Sequence, residues 1–263
     1  MNKKFGIDVS HWQGDFDFKR AKSEGVQFAI LKIGGGDKIC YKDVSFDKYY
    51  AQCKEQGLPV GCYFFGHALN QKKALEEAKY WCTLMQGKQF DYPVFYDVEA
   101  DMLTLTKREL TEIIKTVCDY VESQGYWVGI YASANTFNKE VYDIELKDYT
   151  HWVARYSVSK PELIKEVVTQ MWQFGGNTNM LRSNKIAGKV VDQNYCYVDF
   201  PTLIKEKGFN GYKKTSTKKS NLEVAKEVVK GLWGNNPLRA IKLTLAGYNP
   251  KVIQELVDQL LKK

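Results

Sequence analysis

The stretch PVFYDVEA, residues 93–100, places two carboxylates, Asp97 and Glu99, one residue apart at the end of an apolar run that Pro93 introduces. An apolar run of this length, rich in aromatic and β-branched residues, reads as a strand buried on both faces. On a strand, residues i and i+2 face the same side. Asp97 and Glu99 therefore point together, about 6.6 Å apart at their Cα atoms, while Val94, Tyr96 and Val98 face the other way. In barrels of alternating strands and helices the working residues sit where strands end, and Glu99 lies at such an end.

The same pattern repeats along the chain. FGIDVS, FAILKIGGG, PVGCYFFGHA, YPVFYDVEA, WVGIYAS, HWVARYS, VTQMWQF and KVVDQNYC all read as strands. DFKRAKSEG, DVSFDKYYAQCKEQG, NQKKALEEAKYWCTLMQG and LTKRELTEIIKTVCDYVESQG fill the early gaps with apolar residues at helical spacing, each ending at a Gly suited to a C-cap. Beyond residue 150 helices shorten while strands continue, which predicts an irregular barrel with some antiparallel pairing. The expected fold is α/β: an irregular TIM-like β/α barrel over 1–207, a basic linker over 208–220, and a small all-α three-helix bundle over 221–263. A chain of 263 residues, 44% hydrophobic and 14% aromatic, is long enough for this arrangement.

Charge is unevenly spread. Residues 1–207 hold 27 Lys and Arg against 27 Asp and Glu, so the net +7 comes from 208–220 (+4) and 221–263 (+3). A basic tail suits a polyanion, whether nucleic acid, acidic membrane or anionic wall polymer, with a solvated spacer as the alternative. Base-stacking motifs are absent, so no nucleic acid is expected as a partner. No window approaches the roughly 18 apolar residues of a membrane span, so no membrane partner is expected either. MNKKFGIDVS lacks the apolar core of a secretory signal, which predicts a product made soluble in the cytoplasm that needs another route to act outside. The six cysteines are scattered, without C-x-x-C pairs or histidines at metal-ligand spacing, and read as reduced core thiols.

Two acids in a partly desolvated barrel mouth raise the pKa of one, leaving a protonated donor beside an ionised partner, the combination that cleaves glycosides. For the D-x-E pair alone, a divalent-metal site and a purely structural pair stay open. Asp8, in GIDVSHWQG at the end of the first strand, and Asp192, in VVDQNYC at the expected end of the last, join the pair because first and last strands of a closed barrel are neighbours. Trp12, Tyr63, Phe65, Tyr131, Trp152 and Trp172 bring aromatic surfaces suited to sugar faces. His11 and His67 sit near the same rim but read as hydrogen-bonding residues, since four acids leave neither needed as a base.

GIDVSHWQG, YFFGHA, PVFYDVEA, VGIYAS, HWVARYS, MWQF and VDQNYC occur in the order seen in family 25 glycoside hydrolases, the Chalaropsis-type lysozymes, and the resemblance covers about residues 4–205. It implies an irregular β/α barrel and N-acetylmuramidase activity on peptidoglycan, without cofactor or metal. It also implies Glu99 as general acid for the bond between N-acetylmuramic acid and N-acetylglucosamine, with Asp97, Asp8 and Asp192 completing the acidic site. A D-x-E strand end resembles the chitinase-type arrangement, which implies attack by the substrate's own N-acetyl group, with an enzyme nucleophile as the open alternative. Tyr63, Phe65, Tyr131, Trp152, Trp172 and Gln173 are the candidates for holding sugars, with core packing the alternative for each. NLEVAKEVVKGLWGNNPLRAIKLTLAGYNPKVIQELVDQLL resembles the CW_7 repeat, a three-helix wall-binding module of phage lysozymes. Trp233, Arg239 and Tyr248 are its ligand candidates, and a single copy would gain avidity only through oligomerisation. Together these resemblances imply a phage or prophage endolysin. The competing classes are a metal-dependent phosphodiesterase on a barrel and a non-catalytic wall-binding protein.

Overall fold

The computed structural model describes residues 3–141, 144–163, 168–214 and 219–262. It divides into two compact units, Met1–Thr215 and Ser216–Lys263.

The first unit is the expected barrel. Its strands are β1 (Lys4–Val9), β2 (Phe28–Gly35), β3 (Tyr41–Lys42), β4 (Val60–Phe65), β5 (Val94–Asp97), β6 (Val128–Ser133), β7 (Thr150–Ala154), β8 (Thr169–Gly175), the short pair β9 (Lys185–Ile186) and β10 (Lys189–Val190), and β11 (Asp192–Cys196). Eight of them close a ring in the order β1-β11-β8-β7-β6-β5-β4-β2, with β2 returning to β1 and β3 added outside β2. Every pairing in the ring is parallel except those of β11, which runs antiparallel to both β8 and β1. Asp192 therefore stands at the start of its strand, not at the end expected from sequence. The reversed direction brings that start to the rim where β1 ends, with Asp8 and Asp192 as register partners.

Helices α1 (Phe18–Ser23), α2 (Phe46–Glu55), α3 (Gln71–Met85) and α4 (Lys107–Ser123) follow the first four parallel strands. Each is followed by a glycine with positive φ, at Gly25, Gly57, Gly87 and Gly125, a conformation that ends a helix without the Cβ penalty. Beyond β6, only the three-residue α5 (Ala134–Thr136) and α6 (Phe200–Lys207) are α-helical among the described residues of this unit.

Strand alternation sorts side chains into two apolar layers. Val94, Tyr96 and Val98 join the layer between strands and helices, whereas Phe28, Ile30, Phe95, Tyr131, Trp152 and Met171 fill the barrel interior. Gly6 makes room there: a Cβ on it would lie 2.4 Å from the Phe28 ring. Gly6→Ala is expected to destabilise the barrel by about 1–3 kcal/mol through overpacking, read as a lower urea midpoint.

Part of the segment expected to be a linker is packed on the barrel. Gly208 caps α6 with φ 75°, and Phe209 meets Trp127 edge-on. Asn210 accepts from the Trp127 amide at 2.7 Å and donates to the Tyr92 carbonyl at 2.9 Å. Tyr212 donates to Asp91 at 2.7 Å. Residues 215–218 of the expected linker lie outside the described residues.

The second unit holds α7 (Asn221–Val229), α8 (Leu238–Leu245) and α9 (Pro250–Leu261). A Ser220–Glu223 capping box starts α7, and Pro250 with an Asn249 cap starts α9. Val224, Ala225, Val228, Leu243, Tyr248, Ile253 and Val257 form its core. All six cysteines are unpaired and five are buried.

Candidate active site

The mouth of the barrel is a cavity of about 450 Å³, lined by all four expected acids. Each arrives by its own local geometry. Asp8 and Asp97 are inward positions near the ends of β1 and β5, and both are nearly fully buried. Glu99 lies two residues past β5 on extended backbone. The next residue, Ala100, has φ 52°, a left-handed conformation costing an alanine roughly 1–2 kcal/mol. It turns the chain sharply just after Glu99, and strain of this kind concentrates at working sites. Asp192 opens β11 at the same rim, as the register partner of Asp8.

Burial is the main reason all four carboxyl groups are held above the usual carboxylate range. Asp8 and Asp97 are raised most strongly, and Glu99 and Asp192 are raised as well. Mutual repulsion adds to burial: Asp192 acts on Asp8 and Glu99, and Glu99 on Asp97. Lys32 counters part of this at Asp97 and Glu99. Its Nζ sits 4.8 Å from the Phe65 ring centroid at the cavity wall.

Hydrogen bonds distinguish the acids. Asp8 Oδ2 accepts from Gln173 Nε2 at 3.0 Å and Asn194 Nδ2 at 2.7 Å. Those amides are oriented in turn, because Tyr131 donates to Gln173 Oε1 at 2.9 Å and Trp152 Nε1 donates to Asn194 Oδ1 at 2.7 Å. Tyr156 donates to Asp192 Oδ1 at 3.0 Å. Asp97 Oδ1 is buried with no hydrogen-bond partner among the described residues. An orphaned buried acceptor is costly, and it suits a donor brought by a ligand.

Tyr63, Phe65, Tyr131, Trp152 and Gln173 also line the cavity. Trp152, only 1% exposed and tied to Asn194, forms its floor rather than an open stacking face. Trp172 is a correction. Because Gln173 faces inward, its neighbour faces out, so Trp172 packs against Phe174 and Tyr195 and donates Nε1 to the Arg155 carbonyl at 2.8 Å. His11 contacts Asp43 at 2.7 Å and His67 contacts Asp101 at 3.1 Å, both in the hydrogen-bonding role expected. Among the described residues, no three His, Cys, Asp or Glu side chains are grouped to hold a metal ion.

Sequence reasoning missed Lys32, Tyr156 and Asn194. Lys32 was signalled by a lone charge within the apolar run FAILKIGGG, and Asn194 by its i+2 spacing from Asp192. Tyr156 lies past the end of β7 but within HWVARYS, four residues after Trp152, so continuing the alternation would have placed it on the same face. In the second unit, Trp233 and Tyr248 meet edge-on at 6.1 Å and belong to the bundle core, with Trp233 Nε1 donating to Glu227. Arg239 faces a depression of about 160 Å³ between α8 and α9 and donates to Gln254 at 2.7 Å.

Residues 7–182 match the family Glycosyl hydrolases family 25, and residues 223–261 match the CW_7 repeat. The autolytic lysozyme of Clostridium acetobutylicum is 29% identical over 174 residues, 66% of this chain and 52% of that protein, so the chain spans about half that relative's length. The lysozyme of Streptococcus phage Cp-7 is 28% identical over 265 residues, 97% of this chain and 69% of that protein. In fold, the chain is similar to the crystal structure of the CTP1L endolysin, with TM-score 0.66 at 18% identity, covering 99% of this chain and 100% of that one.

Proposed function

The chain belongs to glycosyl hydrolases family 25, and from that premise we propose that it is a muramidase cleaving the β-1,4 bond between N-acetylmuramic acid and N-acetylglucosamine in peptidoglycan. The observation that carries this reading is the convergence of Asp8, Asp97, Glu99 and Asp192 in one cavity, each with a raised pKa. Glu99, the least enclosed member of the D-x-E pair, keeps its proton above the usual carboxylate range and gives it to the glycosidic oxygen as the bond breaks. The unpartnered Asp97 oxygen accepts the N–H of the substrate's acetamido group and turns its carbonyl oxygen toward the anomeric carbon, so that this group is the internal nucleophile. Glu99, now ionised, then takes a proton from the water that completes hydrolysis. Asp8, held by two amides, and Asp192, held by Tyr156, place acceptor oxygens around the developing oxocarbenium ion. Mass spectrometry of digested walls tests the bond assignment. Reducing-end muramic acid is the expected product, and reducing-end glucosamine would overturn it.

The CW_7 match supports a wall-anchoring role for the second unit. Truncation after Lys214 retains the packed Phe209–Tyr212 segment. It is expected to leave hydrolysis of soluble glycan fragments near the full rate while insoluble walls clear more slowly. Equal sedimentation of the full and truncated chains with purified walls would show that the module is not the anchor.

A further inference from the structure

Trp12 is 80% exposed, yet it lines the mouth of the acid-bearing cavity. A single exposed aromatic is ordinary in itself. What sets this one apart is its support. It lies in a 3-10 turn, His11–Gln13, closed by a capping box in which Ser10 accepts from the Trp12 amide and Gln13 Oε1 accepts from the Ser10 amide at 2.8 Å. Gln13 Nε2 also reaches the Val190 carbonyl at 3.4 Å, tying the turn to the short β9–β10 pair. The His11 ring backs the indole at 4.7 Å. His11 is fastened in turn through its backbone amide (3.2 Å) and Nδ1 (2.7 Å) to Oδ2 of the buried Asp43. An aromatic plate supported on one side and open on the other, at the edge of a sugar-sized cleft, is pre-organised to receive a flat apolar face at little entropic cost.

We propose that Trp12 is the stacking platform of a glycan subsite outside the acid cluster, receiving the C–H face of an N-acetylhexosamine ring beyond the two that flank the cleaved bond. This rests on the muramidase reading and extends it, because it makes the cleft select longer glycan strands. The neighbouring groups at the mouth fit a polar rim: Gln13, Asn177 and Tyr156 can serve hydroxyl and acetamido groups around a ring whose face rests on the indole.

The test uses the full chain carrying Glu99→Gln, so that ligand is bound but not turned over. Peptide-free oligomers alternating the two wall sugars, from disaccharide upward, are titrated by calorimetry. Affinity should rise with length, and adding Trp12→Ala should cut that gain about three- to tenfold, with Trp12→Phe restoring most of it. Trp12 packs only against His11 among the ring contacts described, so the melting temperature should stay within a degree or two. An unchanged length gain in Trp12→Ala overturns the subsite. A loss seen only when stem peptides are attached overturns the glycan assignment in favour of peptide contact. A parent enzyme that releases no reducing ends from walls overturns the muramidase reading itself, and the subsite with it.

Discussion

Glu99→Gln is expected to lower the release of reducing ends from purified walls by about 100-fold or more while the barrel stays folded. Glutamine keeps the shape and much of the hydrogen bonding of the acid but has no proton to give. The parent enzyme's activity should fall as pH rises through the elevated Glu99 pKa, because burial and the nearby Asp192 are what keep the donor protonated. The stability consequence has a definite sign. An acid whose pKa is higher folded than unfolded makes the folded state hold more protons between the two values, so stability declines as pH rises through that window. Glu99→Gln removes this contribution, and its melting temperature at neutral pH should match or exceed the parent's. Near-normal wall clearing by this variant would sink the general-acid assignment.

Asp97→Asn should show the trade between activity and stability most openly. Turnover is expected to drop by roughly 100-fold, since the acetamido group loses the carboxylate that aligns it and small misplacements carry penalties of that order. Stability should move the other way. The parent buries a carboxylate whose Oδ1 has no partner among the described residues and whose ionisation is opposed first by burial and then by Glu99. Asparagine escapes that charge, so thermal unfolding at neutral pH should occur at a higher temperature than in the parent. The gain should shrink as pH falls through the raised Asp97 value and vanish below about 3.9, the usual value for an unfolded aspartate, where the parent's carboxyl is protonated in both states. A variant both less stable and fully active would contradict this account. A covalent sugar trapped on Asp97 or Asp192 with a slow substrate would replace internal attack with an enzyme nucleophile.

How much was legible in the sequence follows from how local each signal is. Apolar runs of strand length, helices closed by glycines and the i, i+2 spacing of Asp97 and Glu99 are properties of short segments, and they sufficed for the barrel class and for the shared face of the acid pair. The motifs of the family resemblance offered Tyr63, Phe65, Tyr131, Trp152, Trp172 and Gln173 as sugar-holding candidates, and all but Trp172 line the cavity. The three-helix tail was equally local, with its caps and spacing visible residue by residue.

The direction of β11 was not local. A strand's alternation is identical whether its neighbours run with it or against it, so only the long-range pairing with β1 and β8 decided that Asp192 reaches the mouth from the start of its strand. Parity on β8 had the same character. MWQF could present Trp172 or Gln173 inward, and the choice depends on its register against β11 and β7, which sends Trp172 into the outer layer. Lys32, Asn194 and Tyr156 enter the site because separate strands and a loop converge there, and Phe209–Tyr212 belongs to the barrel because Trp127, Tyr92 and Asp91 supply partners far away in sequence. The sequence by itself determined which elements form and which carboxylates travel together. The tertiary structure alone decided which distant groups surround them, because that surrounding sets their desolvation and charge, and hence their readiness to give or hold a proton.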